Sequence, residues 1–391
     1  MISVERALES LLSLVGRLPS ETVSLRAAAG RALAGPLKAV HDQPPFAASA
    51  MDGYAIARDV QPGDTDRVIG ESAAGHPFDG TITADSGAVR IFTGAPVPAG
   101  ATRVILQENI SRVEDRITYT EASGTATHVR PAGGDFTAGE PHDPKRPLGS
   151  RDIALIAAMG HGAVPVVRKP LVAILMTGDE LRAPGERLHP GQITASNGYG
   201  LAAMFDAAGA ETRVLPIAQD TAESLGQAFR LAEGADLLIT IGGASVGDHD
   251  LIAPTAGKAG LDLAFHKVAM RPGKPLLAGK INGLVLVGLP GNPVSAIACG
   301  TIFILPMLRK MLGLPIGTPT EQHRLAAAVS ENGPRQHYMR AQLTASGMIV
   351  ADRQDSSLLS VLAKATHLVI RPPHDPARNM GDVVTTIALP P

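Results

Sequence analysis

Cysteine is almost absent from the chain, which has one, Cys299, among 391 residues. A single thiol cannot close an internal disulfide or supply the several thiolates of a cysteine-ligated zinc site, and this usage favours a reducing compartment. An excess of either charge is missing too, since 35 Lys and Arg stand against 37 Asp and Glu. Sequence-independent binding of nucleic acid is therefore not expected, and an anionic ligand must be held by a few placed groups.

Long apolar segments are also missing. The chain has no uninterrupted run of about 18 apolar residues, the length that a transmembrane helix needs. Near the N-terminus, apolar residues from Val4 to Leu18 recur at helical spacing, but Glu5, Arg6 and Glu9 interrupt them. A signal peptide would need an unbroken apolar stretch. We therefore expect a cytoplasmic protein with an amphipathic first helix and no membrane partner.

The composition is that of a packed globular protein. Apolar residues make up 45% and charged residues 18% of the chain, which excludes disorder as the main state. A chain of 391 residues exceeds what one hydrophobic core usually serves, so we expect two to four domains. Changes in pattern predict a discontinuous connecting domain (1–40 and 135–166), an inserted β-rich domain (41–134), an α/β domain (167–314) and a small C-terminal β domain (315–391).

The segment 167–314 alternates apolar strands with helices, which is typical of a doubly wound α/β domain. LVAILMTG, DLLITIGG and GLVLVGLPG are near-continuous apolar runs, as expected of parallel strands covered on both faces. Asp220 and Glu223 predict a capping box for the helix before the second run. PVSAIACGTIFILPMLRKML predicts a long helix after the third. The sequence therefore predicts a multidomain α/β protein.

Acidic residues follow two of these apolar runs. Glu180 comes after LVAILMTG, and Asp250 comes after DLLITIGG. Because the carboxyl ends of parallel strands meet at one edge of a sheet, the two carboxylates can converge there. Convergent carboxylates suit a hard cation such as Mg²⁺. Taken singly, each acid is more often a solvated loop residue or a helix cap.

The third apolar run leads into a turn that favours phosphate binding. Asn292 suits the N-cap and Pro293 the first position of the following helix. The free N–H groups at such a helix start can hold a phosphate, and Gly291 would let a ligand come close. An ordinary strand-to-helix turn has the same pattern. The adjacent glycines that end the second run, Gly242 and Gly243, are likewise compatible with a tight turn alone.

Basic residues crowd the segment HKVAMRPGKP, which carries Lys267, Arg271 and Lys274. If this segment is a strand, Lys267 and Arg271 share a face. Such a cluster could neutralise a phosphate or another oxyanion. The alternative is a solvated basic edge.

The β-rich segment contains two motifs whose chemistry the residues alone do not reveal. PPFAASAMDGYA includes Asp52, and TGAPVPAGA includes Thr93 in a loop made rigid by two prolines. Both could be purely structural turns.

Six motifs in this order, PPFAASAMDGYA, TGAPVPAGA, TGDEL, GGASVGDHD, KVAMRPGKP and LPGNPVS, closely resemble those of the molybdopterin molybdenumtransferase family, which includes the C-terminal part of gephyrin. The resemblance covers essentially the whole chain, and six ordered motifs are highly specific where one would be weak. It implies that adenylylated molybdopterin and molybdate are converted to molybdenum cofactor and AMP with the help of a divalent cation, Mg²⁺. It also implies an elongated homodimer with its site between the α/β domain of one subunit and the β-rich domain of the other.

The resemblance further implies which residues act. The implied catalytic residues are Asp52, Thr93, Glu180, Asp250, Lys267 and Arg271, with Glu180 and Asp250 as the metal ligands. The implied molybdopterin-binding residues are Gly242, Gly243, Ser245, Lys274, Pro290, Gly291, Asn292, Pro293 and Ser295. Arg130 and Asp135 in RPAGGDF match a further family pattern. Arg271 departs from the family, because lysine is common there and a guanidinium binds an oxyanion as a fork instead of as a point charge.

Two other functions stay open. A molybdopterin adenylyltransferase would share only the α/β domain, so the β-rich and C-terminal domains argue against it. A non-catalytic scaffold of the gephyrin kind is the second, since likeness of fold alone does not fix function. The acids that chemistry needs are present, and a long linker is missing, which argues against a scaffold. Contacts with other molybdenum-cofactor enzymes are compatible with the leading function.

Overall fold

The computed structural model describes residues 1–243, 252–258 and 260–390. Within them, the strands form three six-stranded sheets and four two-stranded sheets. One large sheet belongs to the α/β segment, one to the β-rich segment and one mainly to the C-terminal segment. The expected multidomain α/β fold is therefore confirmed, whereas the domain boundaries themselves remain a proposal.

The α/β sheet contains the three apolar runs as neighbouring strands. In sheet order its strands are Glu211–Val214, Leu171–Met176, Leu237–Ile241, Leu284–Leu289, Leu277–Ile281 and Leu261–His266. The first four are parallel to one another, and the last two are joined to the sheet by antiparallel pairings. Alternate side chains of Leu171–Met176 enter two separate core clusters. Both faces of the sheet are thus buried, which is why the three predicted runs are nearly continuous in apolar residues.

Helices cover both faces of this sheet. Asn197–Ala207, Pro293–Cys299 and Leu305–Met311 pack on one face, and Ala222–Leu231 and Ile252–Lys258 pack on the other. The expected first helix spans Val4–Leu14, shorter than its apolar pattern, and it joins the first face through Val4, Ala7 and Leu11. The Nζ of Lys310 donates to the carbonyl of Leu12 at 2.8 Å. The first helix therefore packs on the α/β core although the sequence pattern grouped it with the connecting segment.

The expected long helix runs from Pro293 to Met311 with one turn of π-helix, Gly300–Ile304, in its middle. Pro306 has no N–H to donate and disrupts regular α-helical bonding just after that turn. Among the described residues, this helix is long and apolar enough to span a membrane, with 19 residues and a mean hydropathy of 1.4, but 78% of it is buried inside the protein. Its apolar side chains are therefore those of a core helix.

The β-rich sheet carries Asp52 beside one of its central strands. In sheet order its strands are Arg103–Leu106, Gly53–Ile56, Ala88–Ile91, Thr65–Ser72, Arg116–Tyr119 and Ile110–Val113. The single-turn 3-10 helix Gln107–Asn109 links two of them, and Ala48–Ser49 pairs with Val129–Arg130 beside the sheet. Small cores form on both sides of Gly53–Ile56, around Tyr54 and Ile56 on one side and Ala55 on the other.

The connecting segment is held together by pairings between its two halves. Ser20–Ser24 pairs with Ala163–Val167, and Leu37–Lys38 pairs with Pro141–His142. The 3-10 helix Leu25–Ala28 and the helix Ser150–Ala158 pack together over a core that includes Ile156 and Val164. These two halves flank the β-rich segment in the sequence, so that segment is an insertion between them.

The C-terminal sheet includes one strand from the α/β segment. In sheet order it contains Met270–Arg271, Gln336–Thr344, His367–Arg371, Val383–Ala388 and Glu321–Arg324, and Gly347–Val350 pairs beside the second of these. Met270–Arg271 runs parallel to Gln336–Thr344, with Arg271 opposite His337. A short helix, Leu359–Lys364, completes the segment. This pairing brings the C-terminal sheet to the α/β strand ends.

Two local predictions were wrong. The helix predicted to start with a capping box at Asp220 begins at Ala222, and its N-cap is Thr221, whose hydroxyl accepts the Ser224 N–H at 3.2 Å. The strand considered for the segment from Lys267 to Arg271 does not form, because Leu261–His266 ends before it and Lys267 has a φ of +71°. Lys267 and Arg271 therefore do not share a strand face.

Candidate functional site

A cavity of about 580 Å³ lies where three parallel strands of the α/β sheet end. It gathers many of the residues that the sequence singled out, since Glu180, Gly242, Pro290, Gly291, Asn292 and Pro293 all line it. Their convergence has the expected cause, because these residues leave the carboxyl ends of neighbouring parallel strands. Residues from the short parallel pair Leu181–Arg182 and Ile193–Thr194 close another side.

Of the adjacent acids Asp179 and Glu180, only Glu180 lines this cavity. The Asp179 Oδ1 atom accepts the Asp220 N–H at 3.1 Å, so this side chain acts as a loop cap. The Glu180 carboxylate lies against Gly178, where an added Cβ would be 2.5 Å from its Oε2. The second predicted metal ligand, Asp250, and the predicted binding residue Ser245 lie outside the described residues.

The paired glycines are required by the backbone itself. Gly242 has a φ of +96° and Gly243 a φ of +58°, in the left-handed region that glycine tolerates best. A Cβ on Gly242 would lie 2.7 Å from the carbonyl oxygen of Thr177. The tight-turn interpretation of these glycines is thus sufficient to explain them, although Gly242 also forms part of the cavity wall.

Thr177 adds a polar group that the sequence did not single out. It lines the cavity and is 5% exposed. Its Oγ1 is buried and has no hydrogen-bond partner among the described atoms. Buried hydroxyls are nearly always paired, so this oxygen is suited to a bound ligand or water.

The turn between the third strand and its helix has the predicted shape but different bonding. Asn292 occupies the N-cap position and Pro293 the first helical position. The Asn292 side chain makes no capping bond, and its Nδ2 donates instead to Ser356 Oγ at 3.0 Å. The Val294 N–H donates to the Ser356 carbonyl at 3.1 Å. The helix start therefore offers fewer free N–H groups than the sequence predicted.

Gly291 is the open point of this turn. Its carbonyl accepts the Asn197 Nδ2 at 2.6 Å, which fixes the turn to the neighbouring helix. Among the described residues, a Cβ on Gly291 would meet only the Cα of Gly242, at an ordinary contact distance of 3.6 Å. No backbone constraint thus demands glycine here, in contrast to Gly242, and the exposed face of the turn is accessible to a ligand.

A second cavity of about 340 Å³ adjoins the first, since Pro275 and Asn292 line both. The predicted residues Arg271, Lys274 and Ser295 line it, with Ser295 itself 4% exposed. The C-terminal segment contributes Arg335, Gln354, Asp355 and Ser356. The cavity wall therefore carries more positive than negative side chains, as binding of an oxyanion requires.

Arg335, Asp355 and Ser356 are residues of this second cavity that the sequence did not single out. Arg335 Nη1 also donates to the Met270 carbonyl at 3.3 Å, which ties the guanidinium to the strand of Arg271. Bonds from the Ser357 N–H and hydroxyl to the Asp355 carboxylate lower the pKa of that acid. Asp355 therefore stays ionised, and its charge offsets part of the positive field.

His337 lies opposite Arg271, a residue of this cavity, in the C-terminal sheet. It is 6% exposed, and its Nε2 has no partner among the described atoms. Burial, together with the charge of Arg271 and nearby guanidinium groups, lowers the pKa of His337 to about 4. The ring is therefore neutral at physiological pH and adds no charge to the cavity.

Lys267 is not among the described residues that line either cavity. Its backbone holds it in place, since its N–H donates to the Leu276 carbonyl at 2.9 Å and its own carbonyl accepts the Ile2 N–H at 3.2 Å. Of the basic residues predicted from this segment, the structure brings Arg271 and Lys274 together but not Lys267.

Asp52 and Thr93 contact each other on the surface of the β-rich sheet. The Thr93 N–H and hydroxyl donate to Asp52 Oδ1 at 2.7 and 2.8 Å. These bonds, with a smaller effect from Arg90, lower the pKa of Asp52 and keep it ionised. Neither residue is among the described residues that line the two cavities. Arg130 and Asp135 are exposed on the connection that leaves this sheet.

The chain is similar to known proteins along most of its length. Residues 2–160 match the family described as MoeA N-terminal region (domain I and II), and residues 173–310 match a probable molybdopterin binding domain. The molybdopterin molybdenumtransferase of Nostoc sp. is 36% identical over 81% of this chain and 76% of its own length. Molybdopterin molybdenumtransferase 2 of Mycobacterium tuberculosis is 35% identical over 88% of this chain and 87% of its own. The crystal structure of the molybdopterin biosynthesis moeA protein from Pyrococcus horikoshii covers 100% of both chains with a TM-score of 0.87 and 28% identity.

Proposed function

Because this chain belongs to the molybdopterin molybdenumtransferase family, we propose that it inserts molybdate into adenylylated molybdopterin and releases AMP and molybdenum cofactor. As a family member it is a transferase of molybdenum cofactor biosynthesis. The observation that carries the finer reaction is the pair of adjoining cavities, one with an acid and a helix-start turn, the other with a basic wall.

The larger cavity fits the adenylylated pterin. Its volume of about 580 Å³ lies within the range of small-molecule sites. The exposed turn at Gly291 and Asn292 lets a phosphate approach the backbone closely. The Thr177 hydroxyl, which has no partner among the described atoms, supplies a further polar contact.

The smaller cavity suits molybdate, a compact divalent oxyanion. Arg271 and Arg335 can each present a fork of N–H donors, and Lys274 adds a point charge. Because Asn292 and Pro275 line both cavities, a bound oxyanion would lie next to the bound pterin. Positive groups fixed in advance stabilise charge without reorganisation during the reaction. In this arrangement Arg271 replaces the family's common lysine without loss of positive charge.

A divalent cation, Mg²⁺, belongs to this proposal. Glu180 is the carboxylate that lines the larger cavity among the described residues. Magnesium often takes one or two carboxylates and completes its shell with substrate phosphates and water. Glu180 together with the substrate's pyrophosphate therefore fits Mg²⁺, and we keep Asp250 as a second ligand on the sequence alone. Bound there, the cation would neutralise charge that develops as AMP departs.

The proposed site is shared between two subunits. Asp52 and Thr93 are not among the described residues lining either cavity, yet their motifs match the family's functional positions. A homodimer that sets them against the partner's cavities would reconcile the two observations. The same cytoplasmic homodimer could meet other molybdenum-cofactor enzymes when it delivers its product.

Two substrate mixtures test the proposal. The purified protein is given adenylylated molybdopterin with molybdate and Mg²⁺, or molybdopterin with ATP and Mg²⁺. We expect AMP release and cofactor formation in the first mixture only. Adenylylation in the second mixture would identify an adenylyltransferase instead, and inactivity in both would favour a scaffold. Glu180→Gln, which keeps the side chain's shape and removes its charge, should lose most of the activity while the protein stays folded.

A further inference from the structure

Two histidines and a glutamate form a cluster on the C-terminal sheet. Glu321 and His323 lie two residues apart on the edge strand Glu321–Arg324, so they share a face. His367 begins the strand His367–Arg371. One potential ligand atom of each side chain lies within 4.8 Å of the others. None of the three is among the described residues that line the two cavities of the candidate site.

The spacing within this cluster is close to that of a metal site. The Glu321 Oε2 atom lies 2.8 Å from His323 Nε2 and 3.4 Å from His367 Nε2. Ligand atoms around a tetrahedral Zn²⁺ are about 3.3 Å apart, given bond lengths of about 2.0–2.2 Å. The two imidazoles meet edge to face at 73°, so they are not stacked. Small side-chain rotations would therefore suffice to place a cation among the three.

A hydrogen bond behind His367 supports this geometry. The Thr366 Oγ1 atom is 2.7 Å from His367 Nδ1, and it also accepts the Leu343 N–H at 2.9 Å. When the hydroxyl accepts the Nδ1 proton, the lone pair of Nε2 is directed at the cluster, as in many histidines that bind metals. His367 is 7% exposed, so packing holds the ring in this orientation.

We propose that Glu321, His323 and His367 bind a divalent cation of the Zn²⁺ class, with one coordination position open to water. Imidazole and carboxylate are ligands of Zn²⁺, whereas Mg²⁺ prefers oxygen alone. The Glu321 side chain is 51% exposed, so the open position faces solvent. The strand Val383–Ala388 separates the edge strand from His367–Arg371. A cation would thus tie the edge of the sheet to an interior strand.

A zinc titration of the full-length protein tests this site. Metal is first removed with a chelator, and Zn²⁺ is then titrated calorimetrically in millimolar Mg²⁺, which occupies sites that prefer oxygen ligands. The control is His76→Gln, which changes an exposed histidine elsewhere. Wild type and control should each bind one zinc ion. His323→Gln should bind zinc at least about tenfold more weakly. Zinc should also raise the melting temperature of wild type and control more than that of His323→Gln.

Further variants separate this site from the proposed active site. Glu180→Gln should keep the zinc binding, because Glu180 lies at the larger cavity. Equal zinc affinity in His323→Gln and His76→Gln would overturn the proposal, as would a wild type that binds no zinc at micromolar concentration. If circular dichroism shows that His323→Gln is unfolded, Glu321→Gln replaces it, since its exposed side chain can change with less effect on packing. The same loss of affinity is then required.

Discussion

Arg335 is the residue through which the C-terminal sheet would contribute to oxyanion binding, and Arg335→Gln tests that contribution. The guanidinium lines the smaller cavity beside Arg271 and Lys274. A hydrogen bond to a charged partner contributes about 1.5–3 kcal/mol, which corresponds to roughly 10- to 150-fold in affinity. We expect the KM for molybdate to rise by about that factor in Arg335→Gln. The KM for the adenylylated pterin should change little, because Arg335 does not line the larger cavity.

The assay is AMP release at saturating pterin substrate over a range of molybdate concentrations. Arg335→Lys restores the charge without the fork and should recover part of the affinity. Arg324→Gln is the matched control, since Arg324 belongs to the same C-terminal segment. Its side chain donates to the Gly381 carbonyl at 2.8 Å, as that of Arg335 donates to the Met270 carbonyl at 3.3 Å. An equal rise in both glutamine variants would indicate a general charge effect and refute the assigned contact. A molybdate KM within about twofold of wild type in Arg335→Gln would refute it as well.

Three further predictions concern single positions. Gly291→Val should weaken pterin binding with little change in melting temperature, whereas Gly242→Val should destabilise the fold. The reason is that a Cβ at Gly242, but not at Gly291, would clash with described backbone. The opposite pattern in calorimetry and thermal melts would contradict the assigned roles. Asp52→Ala and Glu180→Ala, each inactive alone, should regain part of the activity when mixed as dimers, and no recovery in the AMP assay would count against a shared site. Burial lowers the pKa of His337 to about 4, below its unfolded value of about 6.5. The neutral ring therefore contributes up to about 3 kcal/mol to the stability of the fold above about pH 6.5. This contribution is lost as the pH falls towards 4. His337→Gln should therefore lose less stability than wild type between about pH 7 and pH 4.5 in urea unfolding, and an equal loss would exclude this cause.

The sequence predicted the parallel strands well because burial on both faces leaves a continuous apolar run. Leu171–Met176 and Leu284–Leu289 are examples. The strand Leu261–His266, which pairs antiparallel with its neighbour, has exposed positions and no such run, so the sequence did not predict it. The edge strand Glu321–Arg324 has no large apolar residue at all. Its place in the sheet depends on pairing with Val383–Ala388 rather than on any local pattern.

The same distinction separates the predicted from the missed site residues. Glu180 and Asn292 follow apolar strands directly, and the topology of parallel sheets brings such positions together. Arg335 reaches the site only because Met270–Arg271 pairs with a strand that begins 65 residues later, at Gln336. Hydrophobic periodicity carries no information on such a distant contact. The shared face of Lys267 and Arg271 depended on a local strand that the chain does not form.

Crystals soaked with molybdate and AMP would test the central claim, that the two adjoining cavities hold the two substrates side by side. The anomalous signal of molybdenum locates the oxyanion independently of any assumption about the site. We expect this signal in the smaller cavity, within hydrogen-bond distance of Arg271, Lys274 or Arg335. The AMP phosphate should lie at the turn of Gly291 and Asn292 in the adjoining larger cavity. Molybdenum bound elsewhere, or both cavities empty at concentrations that support turnover, would contradict the account.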